Sequence, residues 1–241
     1  MVVRTTVADR RIRCHKTTGH GTQTFTQTVM NSCNPAFIEW GRRVGVDNFY
    51  TYIDKLGLTS KTGIDIAGEA GTIIHKKENV GEVELATMSF GQSFQITPMQ
   101  MLRAAAAIVN GGNLVTPHFA IRTCAADKTT YSEFSYSTTQ EAVSKETSDT
   151  MKDILRQVVE EGGGKKAYIE GFSIGGKTAT SQKLPRGSGK YIASFIGFSD
   201  VTDPSVIAMC LIDEPQGVYY GGTIAAPVIR ELYDNILPYM D

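Results

Sequence analysis

The sequence lacks the features that mark several large protein classes. No apolar stretch approaches the ~20 residues of a membrane-spanning helix, and the first residues carry no apolar core of a signal peptide. Its 24 basic and 25 acidic residues nearly balance, and it has no basic run. The charge pattern therefore indicates neither a nucleic acid nor an anionic membrane as partner, and we expect the printed chain to be soluble.

Cysteine is scarce, and its spacing excludes the common thiol motifs. None of the four cysteines forms a Cys-x-x-Cys pair, which argues against a zinc ribbon and a thioredoxin-type site. Cys14 and Cys33, taken with His15 and His20, match no standard metal-site spacing, so we predict no metal and no cofactor. In an oxidising compartment Cys14 and Cys33 could form a disulfide. Free buried thiols that pack as small apolar residues are an equally good interpretation.

Apolar spacing and capping residues predict a series of amphipathic helices. Asn34-Pro35 is typical of a helix start, and Thr97-Pro98 repeats it. The spacing i, i+3, i+4, i+7, i+8 from Met151 to Val159 is the clearest helical pattern. Helices are expected after 34, from 47 to 57, from 98 to 110, from 151 to 161 and from about 225 to 237, whereas 124–139 resembles an exposed connection.

The segment Gly171-Phe-Ser-Ile-Gly-Gly-Lys-Thr178 fits two unrelated chemistries. As G-x-x-x-x-G-K-T it is a P-loop, and the apolar run 206–212 followed by Asp213 would suit a magnesium-binding strand. The last two residues of the segment, Lys177-Thr178, instead resemble the Lys-Thr-Gly element of penicillin-recognising acyltransferases, which lies on a β-strand.

The residues that follow Thr178 favour the strand. A P-loop must open directly into a helix, but Pro185, Gly187 and Gly189 would break one. The stretches 191–198 and 206–212 are rich in aromatic and β-branched residues and are separated by a turn. We therefore predict an antiparallel strand meander, with a P-loop nucleotide-binding protein only as a third functional alternative.

A few residues could carry acyl-transfer chemistry. Ser32-Cys-Asn34 places a hydroxyl and an amide two residues apart on a turn that enters a helix, and Lys177-Thr178 adds a cation and a second hydroxyl. A literal Lys61-Thr62-Gly63 also occurs, but we interpret it as a structural turn.

Nearly the whole chain resembles the transpeptidase domain of class B penicillin-binding proteins, and most of all their sporulation-specific branch. The matching segments, in order, are 19–25, 31–35, 61–65, 84–91, 176–178, 191–195, 212–215 and 219–223. The resemblance implies an α/β fold of the α+β type, the penicillin-binding protein/serine β-lactamase-like fold, with helices flanking an antiparallel sheet. It implies a serine-type D,D-transpeptidase that cross-links peptidoglycan in the cell wall or spore cortex and is acylated by β-lactams.

The resemblance also implies roles for individual residues. Ser32 would relay a proton between the catalytic lysine and the leaving group, Asn34 would hold the acyl donor's amide, and Lys177 would shape the electrostatics of the cleft. Thr178 and Thr180 would bind the donor's carboxylate, and the Thr180 N–H would form half of the oxyanion hole. This chain has Ala179 at a position where the family usually has glycine. The methyl group of Ala179 is expected to narrow the cleft and to affect β-lactam affinity.

One family element is missing. The nucleophile of the family lies in a Ser-x-x-Lys motif, and no serine here has lysine three residues later; Thr180-Ser-Gln-Lys183 is the nearest pattern. We therefore expect 1–241 to be the C-terminal portion of one transpeptidase domain, inactive alone. The alternative is a non-catalytic interaction module of the same fold.

Further expectations concern the surroundings of such a chain. The parent protein would be anchored at the extracytoplasmic face of the cell membrane, with stem peptides and β-lactams as ligands. Without the upstream strands, the strand over 206–212 would be an open sheet edge, and the chain would self-associate.

Overall fold

The computed structural model describes residues 4–185 and 187–240 and begins with a hairpin and two helices. Strands β1 (Arg4–Val7) and β2 (Arg10–Arg13), to which the sequence analysis assigned no element, pair antiparallel. Helix α1 (Phe25–Met30) leads into α2 (Asn34–Lys55). The two helices expected before and after Gly45 form this one long element, which is interrupted at Gly45 by a left-handed φ of 74°.

Two further helices follow, of which the sequence predicted only the one that starts after Thr97. Helix α3 (Glu82–Ser89) packs against α2. Helix α4 (Pro98–Val109) starts at Thr97, whose hydroxyl accepts from the Gln100 N–H while the Gln100 side chain accepts from the Thr97 N–H. This capping box satisfies two amide groups that the helix itself cannot pair.

The segment expected to be a plain connection contains short strands. Strand β3 (Leu114–Val115) pairs with β6 (Thr138–Thr139), and β4 (Arg122–Cys124) pairs with β5 (Tyr131–Glu133), both antiparallel. The residues of β4, β5 and β6 are exposed, as expected, but they are ordered by strand pairing.

The predicted meander is confirmed. After α5 (Lys145–Glu160), strands β7 (Ile174–Gln182), β8 (Tyr191–Ser199) and β9 (Val206–Asp213) form one antiparallel sheet in the order β7-β8-β9. Lys177 lies in the middle of β7, so no helix follows it and the P-loop interpretation is wrong. Among the described residues no strand pairs with the outer edge of β9, as expected.

The largest core lies where helices cover this sheet. Helices α6 (Gly221–Ile224) and α7 (Ala226–Ile236) follow β9, and α7 packs on β8 and β9. Phe195 and Tyr233 are fully buried there, and the Tyr233 hydroxyl donates to the Gly197 carbonyl at 2.7 Å. Single 3-10 turns lie at Lys77–Asn79, Lys165–Ala167 and Leu237–Tyr239.

Candidate active site

The turn between α1 and α2 presents Ser32 in an unusual backbone conformation. The Ser32 N–H donates to Val29 O and the Cys33 N–H donates to Thr28 O, both at 3.2 Å. These are the two bonds of a Schellman motif, which ends a helix with a left-handed residue, usually glycine. Ser32 occupies that position with a φ of 46°. The turn thus holds a hydroxyl where a glycine would be the more stable choice.

Lys177 reaches across from β7 to this turn. Its ammonium donates to Ser32 Oγ in a very short contact and to its neighbouring carbonyl, Thr178 O, at 2.9 Å. Burial lowers the pKa of Lys177 from 10.5 to about 8. The structure therefore brings together the two residues predicted to share a proton, although 145 positions separate them in the sequence.

The two predicted carboxylate-binding threonines lie on the opposite side of β7 from Lys177, as strand alternation requires. Thr180 Oγ1 accepts from the Gly221 N–H at 3.1 Å. Thr178 faces Gly222, where an added Cβ would lie 3.1 Å from the Thr178 methyl. At Gly221 a Cβ would collide with the backbone of both β7 and β8, so only glycine allows α6 to start so close to the strand.

Asn34 also faces the site. It is the first residue of α2, and its Nδ2 donates to the Arg13 carbonyl at the end of β2, at 3.3 Å. The predicted cap is therefore displaced by one residue, since Cys33 rather than Asn34 precedes the helix. The Asn34 amide joins the β2 segment to the Ser32 turn.

These side chains line a cleft of about 720 Å³, a size typical of ligand sites. Lys165, Lys166 and His15 line it as well, and none of the Asp and Glu residues that the structure describes does. The cleft is therefore positively charged and suits an anionic ligand. Lys165 and Lys166 were not identified from the sequence, although their position directly after Gly162-Gly-Gly164 marks them as loop cations next to a predicted strand.

The other singled-out segments serve structure, with one exception. The amide N–H groups of Thr62 and Gly63 donate to the Glu69 carboxylate at 2.7 and 3.3 Å, which confirms a structural turn. Lys183 forms ion pairs with Asp213, the last residue of β9, and with Glu214, which follows it. Ala179 does line the cleft, at the position where the family usually has glycine.

The cysteines and histidines near residue 14 gather beside the cleft. Cys14 and Cys33 are buried in one cluster and are free thiols in the structure. Burial raises the pKa of the Cys33 thiol, and the adjoining Cys14 thiol raises it further. Cys14 Sγ lies 3.7 Å from His15 Nδ1 and 3.2 Å from His20 Nε2. The disulfide stays a prediction, and the approach of the two histidines was not foreseen from their spacing.

Comparison with known proteins places this geometry in a family. Stage V sporulation protein D of Bacillus subtilis is 42% identical over 95% of this chain and 36% of its own length. The peptidoglycan D,D-transpeptidase FtsI of Buchnera aphidicola is 28% identical over 92% of this chain and 39% of its own length. The chain thus spans a little over a third of the length of these two relatives.

Solved structures share the fold. Penicillin binding protein 3 of Mycobacterium tuberculosis, solved in complex with aztreonam, superposes with a TM-score of 0.88 at 24% identity, covering 99% of this chain and 56% of that one. The transpeptidase domain of Burkholderia pseudomallei penicillin-binding protein 3 gives 0.86 at 23% identity, covering 99% and 70%. The family model described as the penicillin binding protein transpeptidase domain matches residues 4–234. With this match and with Lys177 in contact with Ser32 at the cleft, the chain belongs to the penicillin-binding protein transpeptidase family.

Proposed function

We propose that this chain supplies the proton-relay and carboxylate-binding half of a serine-type D,D-transpeptidase site, whose acyl donor is a peptidoglycan stem peptide ending in D-Ala-D-Ala. The observation that carries the proposal is the contact between Lys177 and Ser32 at a cleft whose described lining includes no acidic residue. β-Lactams, which acylate the same nucleophile, are the expected inhibitors.

The lowered pKa of Lys177 suits a proton relay. A lysine with a pKa of about 8 is neutral in roughly one molecule in ten at pH 7, so it can both give and take a proton. Ser32 Oγ, in contact with this amine, would pass a proton to the nitrogen of the departing D-alanine and recover it from Lys177. Asn34 would hold the donor's side-chain amide beside this relay.

The charge of the cleft suits the donor's terminal carboxylate. The Thr178 and Thr180 hydroxyls lie on one side of β7, and Lys165 and Lys166 line the same cleft. A carboxylate bound there would accept hydrogen bonds from the two hydroxyl groups and would be stabilised by the positive charge of the lysines. The Thr180 N–H would stabilise the oxyanion that forms at the reacting carbonyl.

The nucleophile must come from elsewhere in the parent protein. None of the printed residues forms a Ser-x-x-Lys motif, and the family places that motif before the segment equivalent to residue 1. We propose that 1–241 is the C-terminal portion of one transpeptidase domain and is not acylated by itself. The relative from B. subtilis, named a sporulation protein, supports a role in sporulation.

The parent would work at the extracytoplasmic face of the membrane, where peptidoglycan is cross-linked. No helix in the described part of this chain is both long and apolar enough to cross a bilayer. We propose that the parent protein is anchored in that membrane.

Acylation by a fluorescent penicillin tests the proposal. The 241-residue chain is expected to form no stable adduct, and a longer chain that carries the upstream Ser-x-x-Lys segment is expected to form one. In the longer chain, Lys177→Ala should slow acylation by at least about 100-fold, the usual contribution of a general acid or base. Lys61→Ala is the matched control, since it alters the other Lys-Thr-Gly and lies exposed away from the cleft.

Two results would contradict the proposal. A stoichiometric adduct on Ser32 of the 241-residue chain would mean that Ser32 is itself the nucleophile. A longer chain that is never acylated would instead support the non-catalytic interaction module.

A further inference from the structure

Four possible metal ligands lie beside the cleft. Cys14 follows β2, His15 and His20 lie in the loop after it, and Cys33 lies in the turn before α2. The ligand atoms of Cys14, His15 and His20 all lie within 4.8 Å of one another. Cys33 lies outside that group of three, but its side chain packs in the same buried cluster as Cys14 and is the proposed fourth ligand. We propose that these residues form a zinc site, with two thiolates and two imidazoles as ligands.

The distances fit a tetrahedral ion. Zn–S and Zn–N bonds of ~2.3 and ~2.0 Å place the sulfur and nitrogen of a tetrahedral site ~3.6 Å apart. The two observed separations from Cys14 Sγ are 3.7 Å to His15 and 3.2 Å to His20. The imidazole rings lie near each other without stacking, with centroids 5.5 Å apart and planes inclined by 56°. An ion could therefore be bound with small side-chain rotations.

A buried amide without a partner points to the same place. Gln23 Oε1 accepts from Asn31 Nδ2 at 2.7 Å, but Gln23 Nε2 is buried and has no hydrogen-bond partner among the residues that the structure describes. This amide lies beside the Cys33 thiol. A metal-bound thiolate would accept the unused N–H, which is the kind of outer contact that orients metal ligands.

The site would act on the Ser32 turn. Cys33 lies between Ser32 and Asn34, and Asn34 already donates to the carbonyl next to Cys14. An ion that joins Cys14 to Cys33 would fix the β2 segment against this turn. A disulfide between the two cysteines would use the same sulfurs, so the metal and the disulfide exclude each other.

Titration with Zn²⁺ and Co²⁺ alone tests the site in the 241-residue chain under reducing conditions. We expect one ion per chain, a thiolate-to-cobalt charge-transfer band, and quenching of Trp40, the only tryptophan, which packs on Cys14 and Cys33. Cys14→Ser and His20→Gln should each weaken zinc binding by at least about 100-fold, and Gln23→Leu by about 10-fold.

Matched controls separate ligand loss from misfolding. Cys124→Ser and His75→Gln change exposed residues of the same types and should bind zinc as the parent does. His15→Gln changes an exposed ligand and should lose affinity without loss of fold. A cobalt spectrum without a thiolate band, or unchanged affinity in His15→Gln and His20→Gln, would overturn the proposal. Unchanged affinity in Cys33→Ser alone would overturn the fourth ligand.

Discussion

Replacing Lys177 by methionine should remove a pH dependence of stability that this lysine imposes. Burial lowers the pKa of Lys177 in the folded chain from 10.5 to about 8. At ~1.4 kcal/mol for each pH unit between these values, the charged amine costs the folded state up to about 3 kcal/mol. Lys177 keeps some solvent contact, so this value is an upper bound.

The sign follows from proton binding. Between pH 8 and 10.5 the unfolded chain keeps a proton on this lysine that the folded chain has released, so the free energy of unfolding rises with pH. Below pH 8 the cost is present in full, and above 10.5 it disappears. Lys177→Met has no titrating group, so the free energy of unfolding of the parent minus that of the variant should rise by up to about 3 kcal/mol across this window.

Urea unfolding followed by circular dichroism at several pH values measures the difference. Lys183→Met is a control of opposite kind, because the carboxylates of Glu214 and Asp213 raise the pKa of Lys183. Its ion pairs stabilise the fold below the ordinary lysine pKa and are lost only above it, so the parent-minus-control difference should stay flat from pH 8 to 10. A flat difference for Lys177→Met as well would refute the reasoning.

The remaining predictions concern the turn, the glycine, the cysteines and the sheet edge. Ser32→Gly should raise the free energy of unfolding by about 1 kcal/mol by relieving the left-handed backbone, while Ser32→Ala should not; equal values in urea unfolding would contradict this. Gly221→Ala should lower the free energy of unfolding by at least about 1 kcal/mol, because the added methyl group collides with two strands. The same change should slow penicillin acylation in the longer chain, because it displaces the N–H that donates to Thr180. Unchanged urea unfolding and unchanged acylation would contradict this prediction. Oxidation that joins Cys14 to Cys33 should slow acylation and reductant should restore it; equal rates with and without reductant would leave both as packing thiols. The open β9 edge should cause concentration-dependent association, and a clean monomer in light scattering at high concentration would argue against it.

Local signals predicted the elements of this fold well. The cap at Thr97 and the breaks before β8 and β9 are encoded within a few residues, so α4 and the meander are found where the sequence indicates. Helix α5 begins at Lys145, ahead of the predicted start at 151, and α1 and α3 were not predicted. The short strands β1 to β6 were missed because two to four residues carry too little periodicity to distinguish strand from loop.

The site was predicted in part, for a different reason. Ser32, Lys177, Thr178 and Thr180 were identified through resemblance, since no local rule joins a helix turn to a distant strand. The left-handed φ of Ser32 could not be predicted, because the motif normally uses glycine. The cluster of histidines around Cys14 depends on how a loop folds back, which residue spacing does not determine.

The sequence separation within the relay pair also affects how the protein folds. Ser32 and Lys177 are 145 positions apart, so their contact closes a long loop. Closing this loop costs conformational entropy, and the contact therefore adds little net stability until the helices and the sheet have docked. Local helices can form early, whereas this contact should be among the last to form. During refolding, the lowered pKa of Lys177 should therefore be recovered later than the circular dichroism signal of the helices. In the longer chain that carries the Ser-x-x-Lys segment, acylation by penicillin would then require complete folding.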